Sequence, residues 1–190
     1  MAFTYILPDA MPAPPMDDEL EDILQRAFAG ITGMDPRLVR PRFEPEPANM
    51  PDFSQTWASF GVGETQSDLL AFLRQVSDDV QELQRDQQFT ALASFYGPGA
   101  QVQLERFRDG IQIQQNREEL GSFGIKLVEV GQARRLPALV KGLWQDRRDV
   151  PVILRRRYTR LYRVAAVNSA DLGLDNEFYV TPIVVTPPTP

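Results

Sequence analysis

The sequence predicts an α+β fold, with an antiparallel or mixed β-sheet of about four or five strands and helices packed on one face. Three observations support this prediction. Residues 88–96 alternate apolar and polar side chains, as a strand with one buried face does. Residues 100–111 then carry apolar side chains at helical spacing, and residues 150–166 predict one long strand.

The first predicted element is an amphipathic helix that follows the Pro-rich residues 8–16. Asp17 or Asp18 is expected to cap it, because acidic residues suit the positive end of a helix. Gly33 and Pro36 are expected to end it. Its apolar stripe, which we expect in the core, consists of Leu20, Ile23, Leu24, Ala27, Phe28 and Ile31.

The stretch before the central strand is predicted in three parts. Residues 41–52 contain four prolines and predict an extended connector. Residues 57–65 predict a first strand. Residues 66–88 fit a helix by their apolar residues and helix formers, but a hairpin also remains open.

The centre of the chain predicts a strand, a turn and two helices. Residues 97–99 form the turn, and Pro98 suits the first turn of the helix that carries Ala100, Leu104, Phe107 and Ile111. Asn116 and Glu119 have the spacing of a capping pair for a second helix. That helix is expected to stop at Gly124 and to point two side chains inward, Leu120 and Phe123.

The last third predicts another strand at 125–130 and a loop or helical turn at 136–144 around Pro137. Residues 150–166 follow as the long strand, whose two faces begin apolar and end in arginine. One face has Val150, Val152, Leu154, Arg156, Tyr158, Arg160 and Tyr162, and the other has Ile153, Arg155, Arg157 and Thr159.

These elements divide the chain into three predicted sections. Residues 1–50 form an N-terminal extension with one amphipathic helix and a Pro-rich linker. Residues 51–168 form the α+β core, and residues 169–190 form an extended C-terminal arm. The Pro-rich ends are candidate arms that order on a neighbouring subunit during assembly.

Composition argues against most catalytic chemistry. The 190 residues include no histidine and no cysteine, so the usual general base and the thiolate nucleophile are both missing. An enzyme would have to use carboxylates or lysine. We therefore predict a non-enzymatic protein without a cofactor or metal. There is also no apolar run of membrane-spanning length and no signal peptide pattern, so no membrane partner is expected.

Charge is concentrated in one region. The net charge is −6, yet residues 134–163 contain ten arginines and lysines against only Asp146 and Asp149. Arginine accounts for nearly all of the cations, since Lys126 and Lys141 are the two lysines of the chain. Arginine favours planar contacts with several donors to carboxylates or phosphates, although a solvated surface rich in arginine is the simpler interpretation.

The long strand is the main candidate site. Seventeen residues exceed the usual strand length of about five or six, and burying unpaired guanidinium groups is costly. We infer that the strand projects beyond its own sheet, where another chain completes it. The predicted subunit and partner interface comprises Arg155, Arg156, Arg157, Tyr158, Arg160, Tyr162 and Arg163.

Other motifs give weaker evidence for a functional site. The acidic groups at residues 17–22 and at Asp78 and Asp79 do not match a calcium loop, and we interpret them as a helix start and a turn. The glycine pairs at 61–63 and 97–99 lack the rest of a phosphate loop. Trp57 and Trp144 are expected in the core or at an interface rather than against a cofactor.

Several segments together resemble the phage neck or tail terminator family of contractile-tailed phages. They are Phe95-Tyr-Gly-Pro-Gly-Ala, Gln114-Gln-Asn-Arg-Glu-Glu-Leu, Trp144-Gln-Asp-Arg-Arg-Asp-Val and Trp57-Ala-Ser-Phe-Gly-Val. The resemblance covers roughly residues 55–165, judged by the order and spacing of these motifs. It implies that residues 66–88 form a hairpin turning near Asp78 and Asp79, which we adopt.

The resemblance also implies a function. It predicts a virion protein of the tail and neck, assembled in the host cytoplasm, whose subunits form a hexameric ring on the head-proximal end of the tail tube. The implied partners are other copies of the chain, the tail tube protein, the head–tail connector or stopper protein, the sheath protein, and DNA in the lumen contacted without sequence-specific binding. Alternatives are another neck component, such as a head-completion or stopper protein, and a nucleic-acid-contacting module that uses the arginine-rich strand.

Overall fold

The computed structural model describes residues 5–9, 16–43 and 50–164, and of Asp17 the backbone alone. Three helices are present in this part of the chain: α1 Asp17–Thr32, α2 Ala100–Gly110 and α3 Gln114–Ser122. The strands are β1 Val39–Pro41, β2 Trp57–Ser67, β3 Phe72–Ser77, β4 Val80–Tyr96, β5 Ile125–Val130, β6 Arg134–Arg135, β7 Ala138–Val140, β8 Leu143–Gln145 and β9 Arg147–Arg163. The predicted α+β class is confirmed.

The main sheet is built around one long pair of strands. Its order is β1-β2-β4-β9-β5, with β3 also paired to β4 and β6 also paired to β9. The pairing of β1 with β2 is parallel and the other pairings are antiparallel, so the sheet is mixed. β4 and β9 pair without interruption from Val80 opposite Arg163 to Tyr96 opposite Arg147. At about 3.4 Å per residue this ribbon is roughly 55 Å long.

The core lies between the helices and one face of the sheet. The alternation predicted for the central strand is confirmed, because its four apolar residues, Phe89, Ala91, Ala93 and Phe95, are all buried. Val150, Val152 and Leu154 of β9 lie on the same face and are buried as well. The helical stripes are also confirmed, apart from the partly buried Ile31: α1 buries Leu20, Ile23, Leu24, Ala27 and Phe28, and α2 with the residue after it buries Ala100, Leu104, Phe107 and Ile111.

The predicted helix starts are wrong by one to three residues. Met16 is the N-cap residue of α1, which places Asp18 in the first turn, where its charge still favours the positive end. α3 begins at Gln114, and the amide of Asn116 instead donates to the carbonyl of Gly110 at 2.8 Å. The tight turn after α2 fixes this start, because Ile113 N–H donates to the same Gly110 carbonyl at 3.1 Å.

The helix ends were predicted more accurately. The N–H of Gly33 donates to the carbonyl of Ala29 at 2.8 Å with φ of 69°, and Gly124 follows α3 with φ of 71°. Gly97 has φ of 88° in the predicted turn after β4. Pro98 precedes α2 by two residues, before the N-cap Gly99, so the place predicted for it in the first turn of this helix is wrong. Leu120 is buried as expected, whereas Phe123 is exposed beside Arg26, so the inward placement predicted for it is wrong.

The region at 66–88 is a hairpin, as adopted. β3 ends at Ser77, β4 starts at Val80, and Asp78 and Asp79 form the turn. β4 therefore begins eight residues before the predicted position 88. The residues concerned are half-buried and mostly polar on both faces, so no period of two marks them as strand.

The prediction of a loop or helical turn at 136–144 is wrong. β7 and β8 form a two-stranded hairpin there, with Leu139 opposite Trp144. The turn residues Lys141 and Gly142 have φ of 50° and 80°, the left-handed pair that closes a short hairpin. Pro137 lies just before β7, where the missing N–H does not disturb the pairing.

The long strand and the termini complete the comparison. β9 spans 147–163, three residues earlier at each end than the predicted 150–166. The predicted C-terminal arm at 169–190 and the prolines at 45 and 47 lie outside the described residues. The helices within the described ranges are too short or too polar to cross a membrane. The division into sections at residues 50 and 168 stays a prediction, although α1 shares its hydrophobic core with the sheet.

Candidate assembly surface

The far half of the β4–β9 ribbon extends past the helix-covered body of the protein. β2 leaves β4 after Ser67 pairs with Gln87, and β5 leaves β9 after Ile125 pairs with Arg156. Beyond these points the sheet consists of β3, residues 80–86 of β4 and residues 157–163 of β9, which we name the β-arm. Every residue of β3 is exposed. The arginine-rich strand therefore does project from the body, but β4 pairs with it to its end, so the expectation that it projects beyond its own sheet is wrong.

Successive side chains of β9 point to opposite faces of the sheet, so the candidate residues are divided between an exposed and a buried face, as predicted. Arg155 and Arg157 lie on the outer face and are exposed, with 55% and 63% of their side chains accessible. Arg156 and Tyr158 lie on the face that continues into the core and are only 7% and 3% accessible. The described chain thus brings these residues together on one strand but does not present them to one partner.

Asp86 organises the outer face. This carboxylate accepts from Arg157 Nε at 3.1 Å and also from Arg155 Nη2, because its position on β4 is directly opposite Arg157. The hydrogen bond from Arg157 is the main reason that the pKa of Asp86 is lowered, with Arg155 adding to the effect and desolvation opposing it. The same bond raises the pKa of Arg157. One negative charge therefore fixes two guanidinium groups and leaves a net positive, accessible pair.

The inner face of the ribbon shows how three arginine side chains are accommodated. Arg156 Nε donates to the side-chain oxygen of Gln87 at 2.8 Å, and its guanidinium carbon lies 5.4 Å from the ring centre of Phe89. The guanidinium carbons of Arg160 and Arg85 lie 4.7 Å and 5.5 Å from the ring centre of Tyr158. Stacking on aromatic faces suits the weakly hydrated guanidinium group. Arg156 and Tyr158 therefore fasten the strand within its own subunit.

The free edge of β9 meets the N-terminal segment. Pro8 forms a bridge with Tyr162, and the N–H of Asp9 donates to the carbonyl of Leu161 at 2.9 Å. The carboxylate of Asp9 accepts from Arg163 Nε at 3.1 Å, which raises the pKa of Arg163. The first of the N-terminal prolines thus lies on its own chain. Prolines 12, 14 and 15 lie outside the described residues.

A polar cluster at the opposite end of the ribbon was missed by sequence reasoning. Arg147 donates twice to Asp149, at 2.8 and 2.6 Å, and lies 5.6 Å from the ring centre of Tyr96. Tyr96 stacks on Trp57 with centroids 4.0 Å apart. Asp146 accepts from Arg135 at 2.8 Å and from Arg148 at 3.1 Å. The strong local positive charge was therefore read correctly, but aspartates of the same chain neutralise part of it.

Besides Tyr5, Ile6 and Leu7 in the segment before Pro8 and several scattered residues, two groups of large apolar side chains are exposed. The first lies on β3 and on residues 68–71, which connect β2 to β3, and consists of Leu69, Leu70, Phe72, Leu73 and Val76. The second lies at the β7–β8 hairpin and consists of Leu136, Leu139, Leu143 and Trp144. Trp57 is buried in the core. Trp144 is 72% accessible, so it is not a core residue, and its place at an interface stays a prediction. In the sequence, the apolar residues of the first group fitted a helix, and those of the second group showed no period.

The glycine pair and the aspartate pair considered as phosphate or metal motifs belong to a strand and a turn. Gly61 and Gly63 lie within β2, and Asp78 and Asp79 form the hairpin turn. Among the described residues there is no group of three or more acidic, histidine or cysteine side chains that could hold a metal ion.

Comparison with protein families identifies a match. The model of a family described as phage neck terminator protein matches residues 18–179. The matched region includes nearly all of α1, the β-arm and the whole of β9, so it reaches well beyond the 55–165 on which the resemblance was first based. No curated protein matches the chain significantly.

Proposed function

Because this chain belongs to the phage neck terminator family, a group of structural proteins of the phage tail and neck, we propose that its copies form a hexameric ring on the head-proximal end of the tail tube. The ring stops polymerisation of the tube and joins the tail to the head connector. The observation that carries this proposal is the family match over residues 18–179, which spans both the helix-covered body and the β-arm.

Termination of this kind needs geometry rather than catalysis. One face of the ring complements the growing end of the tube, and the opposite face lacks the surface that recruits another tube subunit. The opposite face instead receives the connector or stopper protein, and the rim is available to the sheath protein. Closed rings use heterologous contacts, in which two different patches of the subunit meet at each joint. We propose that the chain performs this role without an enzymatic step or a cofactor.

The accessible arginines are the residues we assign to contacts between chains. Arg155 and Arg157 are held in place by Asp86 yet remain more than half accessible, so little side-chain freedom is lost when a partner carboxylate binds them. Arg163 continues this outer face along the arm, and we assign Arg160 and Tyr162, which lie on the opposite face of the same strand, to the interface as well. Arg156 and Tyr158, which were predicted as part of the same interface, support it from inside the subunit.

Two other functions are consistent with the same surface. A head-completion or stopper protein would occupy a neighbouring position in the neck and would also need contacts between chains. Direct contact with DNA in the lumen is favoured by the accessible Arg155 and Arg157, but the overall pI of about 4.8 opposes general attraction to phosphate. DNA binding by the purified chain that weakens steeply with salt would support this last alternative.

Tube assembly tests the proposal directly. Purified tube protein is polymerised with and without this chain, and tube lengths are measured by electron microscopy. We expect that the chain arrests growth and that gold-labelled antibody against it marks one end of each tube. Tubes of unchanged length, or a label on the capsid side of the connector, would rule out termination and favour a stopper or head-completion role.

A further inference from the structure

The two exposed apolar groups lie at opposite ends of the same ribbon. β3 pairs with residues 80–84 of β4, at the Arg163 end of β9. The β7–β8 hairpin immediately precedes Arg147, at the other end of β9. With about 3.4 Å per residue, sixteen steps of strand separate the two ends by roughly 55 Å. Two groups this far apart within one subunit cannot cover each other.

Neither group is protected in the way that exposed strands usually are. Among the described residues β3 is paired on one edge only, and its sole charged side chain is Arg74. Natural edge strands usually carry charges or proline, because an open apolar edge invites pairing with another chain. The hairpin is equally unusual, since an isolated two-stranded sheet is marginally stable by itself. It nevertheless turns Leu139 and Trp144, which are directly opposite each other, toward solvent.

The charges around the two groups are opposite in sign. Residues 68–82, on the arm, contain Asp68, Asp78, Asp79 and Glu82 against Arg74 alone, and Arg74 already pairs with Glu82 at 3.0 Å. Residues 134–144, at the hairpin, contain Arg134, Arg135 and Lys141 and no acidic residue. Arg135 pairs with Asp146, whereas Arg134 and Lys141 are exposed. The apolar group on β3 is therefore flanked by acidic residues, with β4 between it and the arginines of β9, and the apolar group at the hairpin is flanked by basic residues.

We propose that the β7–β8 hairpin of one copy of this chain packs on the β3 flank of the β-arm of the next copy. Leu139 and Trp144 cover the apolar side chains of residues 69–76, and the cations of the hairpin meet Asp68, Asp78 and Asp79. Because the two surfaces differ, the contact is heterologous and repeats around a ring. This inference rests on the proposed ring and assigns the surfaces at each of its joints.

Crosslinking tests the contact cleanly because the chain contains no cysteine. Leu70→Cys on the arm and Leu143→Cys at the hairpin are made singly and together, and both positions are exposed, so the fold is expected to tolerate them. The full-length chain, purified and in particles, is treated with a short bis-maleimide crosslinker. We expect the double variant to give a ladder of multiples of the chain, whereas each single variant stays monomeric. Val102→Cys, on the exposed side of α2, paired with Leu143→Cys is the matched control and should give no ladder.

The outcomes separate this inference from the function beneath it. Dimers from Leu70→Cys alone would mean that arms meet arms and would overturn the heterologous contact. A double variant that enters particles as a ring but does not crosslink would also overturn the contact, and the ring proposal would survive. Particles that carry a single copy in the neck would overturn the ring itself.

A mixing experiment provides a second, independent measurement. Leu70→Asp disables the arm and Trp144→Asp disables the hairpin, so neither variant is expected to assemble with itself. Mixed together, they retain one functional surface each and should give a heterodimer by light scattering. Ring formation by either variant alone would overturn the proposal, and so would a mixture that stays monomeric when the wild-type chain assembles.

Discussion

The helix-covered body and the β-arm are built from the same two strands, yet different interactions hold them together. In the body, β4 and β9 bury an alternating apolar face that includes Ala91, Val152 and Leu154, each fully buried. In the arm, the same strands rely on the pairs formed by Asp86 and on the stacking of Arg85 and Arg160 on Tyr158. Within one continuous sheet, the same two strands thus change from a pair that buries an apolar face to a pair held by ion pairs and by stacking on an aromatic ring.

The largest change in the free energy of unfolding is expected from a substitution in the core of the body. Phe107→Ala removes a fully buried ring that contacts Phe28 and Phe95, and we expect a loss of about 3–5 kcal/mol in the free energy of unfolding. Phe72→Ala, in the arm, removes a ring that is 62% accessible and should change it by less than about 0.5 kcal/mol. Urea unfolding followed by circular dichroism measures both. Equal losses would mean that the arm is part of the core.

A smaller effect is expected from two glycines with positive φ. Gly97→Ala places a Cβ atom 2.2 Å from the carbonyl oxygen of Gln55, in addition to the strain at φ of 88°. Gly142→Ala, in the β7–β8 hairpin, has φ of 80° but meets no described atom within 4 Å, so strain of about 1–2 kcal/mol is the whole cost. Thermal unfolding should therefore rank Gly97→Ala well below Gly142→Ala in stability. The reverse order would contradict the packing of the turn between β4 and α2.

A local effect of pH is expected in the arm. The lowered pKa of Asp86 means that its contribution to stability is complete above the ordinary aspartate pKa of about 3.9 and is lost as the pH falls through the folded value. Amide hydrogen exchange around residues 83–87 should therefore become less protected on acidification in the wild type, and Asp86→Asn should abolish this dependence. Glu105→Gln removes an exposed pair with Arg108 on α2 and serves as the control. Identical pH profiles for wild type and Asp86→Asn would contradict the role given to this carboxylate.

The smallest effect on monomer stability is expected from changing the accessible arginines of β9, although the same change should have a large effect on assembly. Arg155→Ser with Arg157→Ser removes two accessible side chains and should leave the unfolding midpoint close to that of the wild type. We expect it to abolish ring formation or attachment of the tail, as seen by light scattering and by counting infectious particles. Arg156 is left unchanged because its side chain is buried. The matched control is Arg106→Ser with Arg108→Ser, at the same spacing on α2. Normal rings and infectious particles from the first variant would rule out the interface.

The sequence predicted the body far better than the arm, for a physical reason. α1, the second half of β4 and α2 each bury one face, and burial imposes the period that Leu24, Phe89 and Leu104 display. Apart from the buried Tyr158 and Gln145, the arm and the β7–β8 hairpin are partly or fully accessible to solvent on both faces, so their residues show no period of two, and β7 and β8 were missed for this reason. Alternation along β9 did separate Arg155 from Arg156. The partnership of Asp86 with Arg157 depends on the register between strands 71 residues apart, which neither local propensity nor charge reveals.

The uninterrupted pairing of β4 with β9 has a mechanical consequence for a protein of the phage neck. A force applied along the strand axis at the tip of the arm loads all seventeen rungs of the ribbon in shear, since every residue of β9 has a partner on β4. Hydrogen bonds pulled in parallel yield together, unlike those of a hairpin peeled open one at a time. The arm is therefore anchored against tension by the core itself, and it can be pulled from the body only by rupturing the middle of the sheet.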